Sequence, residues 1–566
     1  MSLIAPPYLL IQMDDFLSPP SIQVTTLSSP VYSLSALSND AMNAAHLYQQ
    51  RLNRYVTAMR NEMPDCVPIR PFVAEFTAKY AGYTCQDVAH DYNKAFDAVL
   101  KTANDFDWDA VVPNMVYVWT GLAQAAGLRY YGIPGIGIPH TSGFNYIEPP
   151  EDQAFMRADE YDALIADPTA FLYNTWLPRV STEVCKIGDP STYRNNLSFV
   201  KGAMAMLSYF YAFGPQIARL RSECAMPSAI AGIFKAPFDI LADKLRGYIG
   251  LTLDMRSQPD KVLKACEALM PHLCHVGLST ADPDNLVPIG FWMHRGCVPF
   301  INPAQFASHN WPTLKPIIEE FWKHGHQTLF YAEGKWMRHL DAFRELPATS
   351  IVFHCDQDDI FLVHRKLHDK FAISGGIPNT LLSFGNPDKV RSFCRRVLEE
   401  VAQNGGYIMD AGAIMQDDTS IENLRVMTQT AREYGVYSPA ALQSSPLDGL
   451  HGAHRRPDLL PRPATKERGE GWGEGLPPVA YLADSAITPP TSLPPSQTPT
   501  ALADRQKLIG LAGRPQPPVR PGVCFPWEDR LKDLPQITGS PELVRRIWED
   551  IDAFGNMYIW QLLLSF

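Results

Sequence analysis

Eight short apolar runs, each followed by a helical stretch, dominate the chain between residues 41 and 437. They are VPIRPFV (67–73), DAVVPNM (109–115), PSAIAGIF (227–234), NLVPIGFWMH (285–294), TLFYAEG (328–334), SIVFHCD (350–356), KFAISGG (370–376) and GGYIMDAG (405–412). Each is brief, rich in Val, Ile or Phe, and bounded by breakers, which is the pattern of a strand. Their hydrophobicity is continuous rather than alternating, as in strands buried on both faces. Amphipathic segments such as WPTLKPIIEEFWKHG and DKVRSFCRRVLEEVAQNG lie between them. Eight β-α units predict an α/β chain folded as a closed (β/α)8 TIM barrel, with its active site at the C-terminal ends of the strands. An open, doubly wound sheet is the alternative. No GxGxxG or GxxxxGKS/T follows any of the runs, so the usual nucleotide sites are absent.

The barrel pattern occupies residues 41–438. Residues 1–40 before it are Ser/Pro-rich and read as irregular. Residues 439–522 read as a Pro/Gly-rich, disordered linker, with ten prolines between 451 and 500 and the run KERGEGWGEG. Residues 523–566 recover helical character. Ser540 is placed as an N-cap, Pro541 opens the first turn, and Val544, Ile547, Trp548, Ile551 and Phe554 form an apolar stripe. The tail YIWQLLLSF is too apolar to stand free in water. It predicts a segment docked on the barrel or on a second subunit, which would make a homo-oligomer.

A net charge of −11, with no basic block, argues against nucleic acid and anionic membrane as partners. The ten cysteines form no CxxC pair and read as reduced, buried thiols of a cytoplasmic protein. The first residues lack the basic start of a secretory signal. The most membrane-like stretch, 202–218, carries Gly and Pro and reads as a buried helix or a substrate-facing lid, not as a span.

Polar residues gather where the runs end. The first offers Arg70 and Glu75, the second Asn114, and the fourth His294 and Arg295. The fifth gives Tyr331, Glu333 and Lys335; the sixth gives His354, Cys355, Asp356, Gln357, Asp358 and Asp359; the eighth gives Asp410. In HCDQDD, Asp358 and Asp359 read mainly as N-caps of the following helix, while Asp356 is equally suited to a site. No GxSxG, HExxH or EF-hand loop is present, so local spacing shows neither a serine nucleophile nor a metal site.

In the segments ADEYDALIADPTAFL (158–172), APFDILADKLRG (236–247) and, above all, 370–435, the chain resembles the uroporphyrinogen decarboxylase superfamily. The last stretch carries the elements at 375–382, 384–390, 405–412 and 422–435. That superfamily contains porphyrinogen decarboxylases and cobalamin-linked methyltransferases, and its fold is a (β/α)8 barrel. The resemblance also implies departures. The Arg-rich loop after the first strand is replaced by FVAEFTAKYAG, the family's catalytic Asp by Asn114, and its late His by Ala413. Eight substrate carboxylates would then lack cationic partners. The zinc motif LHxCG of the thiol-activating branch falls on FYAEG, with Tyr331 in place of His and Glu333 in place of Cys, so zinc is not expected.

The resemblance thus implies a methyltransferase that moves a methyl group between a corrinoid, carried by a partner protein, and a small, apolar, non-thiol organic substrate. This chain has no DxHxxG corrinoid motif of its own. Glu333, Tyr331, Lys335, His294 and Asp356 are the expected catalytic residues. Arg295, Asn114, His354, Asp410 and Gln357 are the expected substrate contacts. A metal, were one held, would take Glu333, His294, Asp356 and Asp410. A cofactor-free decarboxylase using Lys335 and Arg295, and a non-catalytic barrel acting as an assembly subunit, are the alternatives.

Overall fold

The runs that read as strands meet edge to edge in one parallel sheet. The computed structural model describes residues 34–113, 119–438, 520–534 and 536–564. The chain separates into residues 1–43 and residues 44–566. Of the first unit, only the opening turns of helix Leu34–Met59 are described; the sheet and the C-terminal helix belong to the second. The linker predicted at 439–522 lies almost wholly outside the described residues.

A small antiparallel hairpin precedes the main sheet, formed by β1 (Tyr131–Gly132) and β2 (Asn145–Tyr146). The main sheet holds β3 (Ile233–Phe234), β4 (Ile289–Met293), β5 (Thr328–Ala332), β6 (Ile351–Cys355), β7 (Ala372–Gly375) and β8 (Tyr407–Ile408), parallel and in that order. Residues 66–73 and 109–112 join its two edges through parallel bridges, Ile69 to Met409 and Val111 to Ser228. Asp109 N donates to Ile69 O at 2.8 Å and Ala229 N to Val111 O at 2.8 Å. The ring therefore closes with eight parallel segments, as the run count predicts. The first two segments bridge instead of forming ladders because Pro68, Pro71 and Pro113 remove main-chain donors.

Side chains alternate across each strand. Trp292, Leu329, Tyr331, Val352, Ala372 and Ile408 share the inner cluster, and Phe291, Phe330, Phe353, Ile373 and Tyr407 share the outer one. The inner set lines the barrel; the outer set packs against the helices.

The uncharged stretch 202–218 belongs to helix Tyr193–Cys224. Gly202, Ala203, Met206, Tyr209 and Phe213 are buried, but Met204, Tyr211 and Ile217 are exposed. It is amphipathic by packing, not buried all round, because only one of its faces meets the body. No helix among the described residues is long and apolar enough to cross a membrane.

The C-terminal helix Pro541–Leu564 starts at Ser540, whose Oγ accepts from Leu543 N at 3.3 Å. Its last turns enter the main core: Tyr558, Ile559, Trp560, Leu562, Leu563 and Leu564 are buried there. Trp560 stacks on His272 at 4.9 Å and donates from Nε1 to Thr169 Oγ1 at 3.3 Å. Truncating this fully buried indole opens a large cavity, so Trp560→Ala is expected to lower stability by about 3–5 kcal/mol in urea unfolding. A loss under about 1 kcal/mol would show that the helix does not hold the body together.

Candidate active site

Alternation decides which strand-end residues point inward. On β5 the inner series is Leu329, Tyr331 and then Glu333; on β6 it is Val352, His354 and then Asp356. The register pairs Trp292 with Tyr331, Tyr331 with His354, and His354 with Ser374. Same-level residues on neighbouring strands lie one strand spacing apart, close enough for rings to stack. Trp292 and Tyr331 stack at 4.0 Å and 12°, Tyr331 and His354 at 4.2 Å and 13°. Phe72 sets its edge against all three.

A fully buried polar circuit fixes this aromatic floor. His354 Nε2 lies 2.9 Å from Gly412 O, so that nitrogen carries the proton and donates. Its Nδ1 then accepts from Ser374 Oγ, also at 2.9 Å. Ser374 Oγ accepts from Arg70 Nη2 at 2.9 Å. Burial, and then the Arg70 charge, hold His354 well below the usual imidazole range, so it is neutral. Arg70 Nη1 faces Asp410 Oδ2 at 3.4 Å. Asp410 Oδ1 accepts from Phe72 N at 3.1 Å and from Ala411 N at 2.7 Å. Burial outweighs Arg70 and pushes the Asp410 carboxyl up to about 7. Tyr331 Oη, Asp410 Oδ2 and Arg70 Nε are buried and make no hydrogen bond within the protein.

Above the floor stand two half-buried carboxyls. Trp292 Nε1 donates to Glu333 Oε2 at 3.2 Å. Gly334 N donates to Asp356 Oδ2 at 2.8 Å. Gly334 has φ +91°, and a Cβ there would come 2.5 Å from Cys297 Sγ, so only glycine makes this turn. Burial pushes Asp356 up to about 6; the Gly334 N–H works against this and the Glu333 charge adds to it.

Tyr331, His354 and Asp410 therefore gather below Glu333 and Asp356, while other expected residues stand apart. Lys335 is exposed, with its main chain bridged to Val298. Gln357 is exposed and donates from its main-chain N to Gly334 O at 3.2 Å. Asp358 accepts from Trp336 N at 2.6 Å, tying two loops, and Asp359 caps helix Ile360–Leu367. Asn114 lies outside the described residues.

His294 and Arg295 are half-buried and turn to a cluster of buried charges. Asp243 Oδ2 meets Lys235 Nζ and His294 Nε2, each at 2.8 Å, and Arg295 Nε donates to Asp243 Oδ1 at 2.6 Å. Burial works against the Asp243 charge, but contact with His294, Lys235 and Arg295 holds its carboxyl well below the usual range. Asp239 Oδ1 accepts from the main-chain N–H groups of His294 and Arg295. Asp243 and Lys244 lie in the π-helical turn Leu241–Leu245. Lys244 Nζ sits over the rings of Tyr130, Tyr131 and Tyr146 at 4.6, 5.3 and 4.9 Å. Among the described residues no three His, Cys, Asp or Glu side chains form a group able to hold a metal ion. The set Glu333, His294, Asp356 and Asp410 does not assemble, because His294 is turned to Asp243 and Asp410 to Arg70.

Sequence reasoning passed over Asp239, Asp243 and Lys244, although their charges within the apolar run APFDILADKLRG were a usable signal. It did not find Ser374, which nothing in the sequence marks.

The Asp410 carboxyl yields a test. Its ordinary value is 3.8 and the folded protein holds the proton to about 7, so between these the folded state binds more protons than the unfolded chain. Its contribution to stability therefore falls as pH rises through that window. Asp410→Asn lacks this titration. Its stability relative to the parent protein is expected to improve between about pH 4 and 7, read by urea unfolding across that range. A pH-independent difference would contradict the assignment.

Residues 178–434 match the family model described as uroporphyrinogen decarboxylase (URO-D). No curated protein matches the chain. Among solved structures, a methyltransferase from Methanosarcina mazei superposes with a TM-score of 0.46 at 12% identity, covering 68% of this chain and 98% of that one. Over residues 178–434, the chain is thus similar to the uroporphyrinogen decarboxylase superfamily.

Proposed function

We propose that the protein is a methyltransferase of this superfamily, exchanging a methyl group between a small organic substrate with a non-thiol heteroatom and a corrinoid brought by a partner protein. The observation that supports this reading best is the pair Glu333 and Asp356 above the stacked rings of Trp292, Tyr331 and His354. The packed rings make the base of the site apolar, which suits an apolar substrate. The arginines nearby are already engaged, Arg70 by Asp410 and Ser374 and Arg295 by Asp243, which disfavours a polycarboxylate. Among the described residues no zinc-type donor set stands beside Glu333, which disfavours a thiol.

A corrinoid, when bound, supplies the centre that exchanges the methyl group. The residues here suit one that arrives on a partner. Exposed Ile147 and Ile249 flank the hydrogen bond from Tyr248 N to Glu148 Oε1, beside Arg295 at the end of β4, and give the rim an apolar face. The protein's own part is proton management. A carboxyl proton passes from Asp356 to the heteroatom that loses its methyl group; in the reverse direction the carboxylate takes the proton from the heteroatom that gains one. Glu333 accepts from the Trp292 N–H, and its charge beside Asp356 raises the affinity of Asp356 for that proton. Tyr331, which burial holds well above the usual phenol range, stays protonated and offers its O–H from the floor.

The match to a decarboxylase family model supports a second reading, decarboxylation of a small acid. Methyl transfer from free methylcobalamin to phenols, apolar ring compounds and thiols separates the two. Transfer to a non-thiol acceptor is expected, with turnover rising through about pH 6 as Asp356 ionises and can take the acceptor's proton. Glu333→Gln and Asp356→Asn are each expected to slow it by about 10²–10⁴-fold. Carbon dioxide release without methyl transfer would favour the second reading, and unchanged rates in both variants would remove these carboxyls from the mechanism.

A further inference from the structure

The first half of the C-terminal helix carries an apolar stripe into solvent. Leu543, Val544, Ile547 and Ile551 are exposed, Ile547 by 50% and Ile551 by 65%. Val544, Ile547, Ile551, Phe554 and Tyr558 follow one another at alternating spacings of 3 and 4, the seam of a helix that packs along another helix. From Phe554 onward the protein's own core covers that seam, and Tyr558 is 2% exposed. One continuous stripe is thus covered at its C-terminal end and bare at its N-terminal end. A helix face that none of the described residues covers gains nothing from four exposed aliphatic side chains.

The charges around the bare half say what covers it. Arg545 and Arg546 precede Ile547 and Trp548, and Glu549 and Asp550 follow them. The order is two basic, two apolar, two acidic, which inverts about the point between residues 547 and 548. Within the helix these charges form exposed pairs, Arg545 with Glu549 at 2.8 Å and Arg546 with Asp550 at 3.7 Å. A second copy laid antiparallel across that point places Arg545 of one copy opposite Asp550 of the other, Arg546 opposite Glu549, and Val544 opposite Ile551. Ile547 then lies next to the two-fold axis. A parallel copy would set like charge on like charge. Trp548 turns to its own chain, donating from Nε1 to Phe525 O at 2.9 Å, and leaves Ile547 to fill the centre.

We infer that residues 543–551 form a homodimer interface, in which the N-terminal half of the C-terminal helix packs antiparallel on the same segment of a second copy. The contact is isologous, one patch serving both sides, so it closes at two copies. Three turns from each helix make a small interface, and the dimer is correspondingly weak.

Sedimentation of the full chain tests this. A monomer–dimer equilibrium is expected below about 100 μM, the range proper to a weak, specific contact. Ile547→Lys with Ile551→Lys should leave a monomer whose melting temperature is unchanged, since both positions are exposed in the single chain. Arg545→Glu with Arg546→Glu makes the segment wholly acidic, and Glu549→Arg with Asp550→Arg makes it wholly basic. Each double variant should be monomeric alone, and an equimolar mixture should dimerise again. Ile547→Cys should oxidise to a cross-linked dimer, and Leu543→Cys should not. A parent chain that stays monomeric throughout overturns the inference. So does a dimer that survives the lysine pair, or one abolished instead by Met204→Lys on the exposed face of helix Tyr193–Cys224, or efficient cross-linking through Leu543→Cys.

Discussion

The barrel depends on buried charge where its main chain is least able to close it. The first segment joins β8 through isolated bridges and the second segment only through main-chain hydrogen bonds to Ile69 O. Arg70 and Asp410 meet across the first of these junctions, and Ser374 extends the contact to β7. At the second junction Asp109, also fully buried, accepts from Ile69 N at 2.8 Å and meets Arg54 at 2.5 Å and Arg432 at 3.0 Å. Side-chain carboxylates here take over acceptor roles that a regular ladder would give to carbonyls. Removing one member of such a buried pair typically costs about 3–5 kcal/mol because the other charge is left unpaired.

The same closure sets the chemistry above it. Arg70 is committed to Asp410 and Ser374, so it is not free to hold an anionic substrate. The circuit from Arg70 through Ser374 to His354 and Gly412 also uses both imidazole nitrogens, so His354 serves as a fixed ring in the stack instead of an acid or base. Proton exchange is left to groups higher in the barrel. Asp356 titrates near neutrality because it is half-buried beside a second carboxyl. A buried position without a partner would have kept it protonated throughout the physiological range, and a fully solvated one would have kept it ionised.

The barrel was legible in the sequence because parallel strands covered on both faces need unbroken apolar runs, and β4 to β8 supply them. The proline-bearing runs at 67–73 and 109–115 were legible as segments but not as bridges, since pairing depends on neighbours more than a hundred residues away. Glu333 and Asp356 could be picked out because each lies two residues beyond an inward-facing one, and alternation carries them inward as well. Lys335 obeys the same arithmetic and yet is exposed, because Gly334 takes a positive φ and ends the strand geometry before it. The pairing of His294 and Arg295 was not legible because their partner, Asp243, comes from a π-helical turn more than fifty residues earlier. No local pattern announces such a pairing.

Tyr331 joins the two levels. Its ring belongs to the floor, stacked between Trp292 and His354, while its hydroxyl makes no hydrogen bond within the protein. Leaving a buried hydroxyl unpaired costs about 1–3 kcal/mol. Its polar neighbours account for its state: the charges of Asp410, Glu333 and Asp356 all oppose ionisation, and burial opposes it more strongly still. The phenol is therefore a donor without an acceptor. A ligand that lies flat on Trp292 and places an acceptor atom toward Tyr331 would gain one hydrogen bond that water cannot easily replace in so apolar a setting. Selectivity for such an acceptor follows from the unpaired hydroxyl itself, because an analogue lacking the acceptor would leave that hydroxyl unpaired and buried.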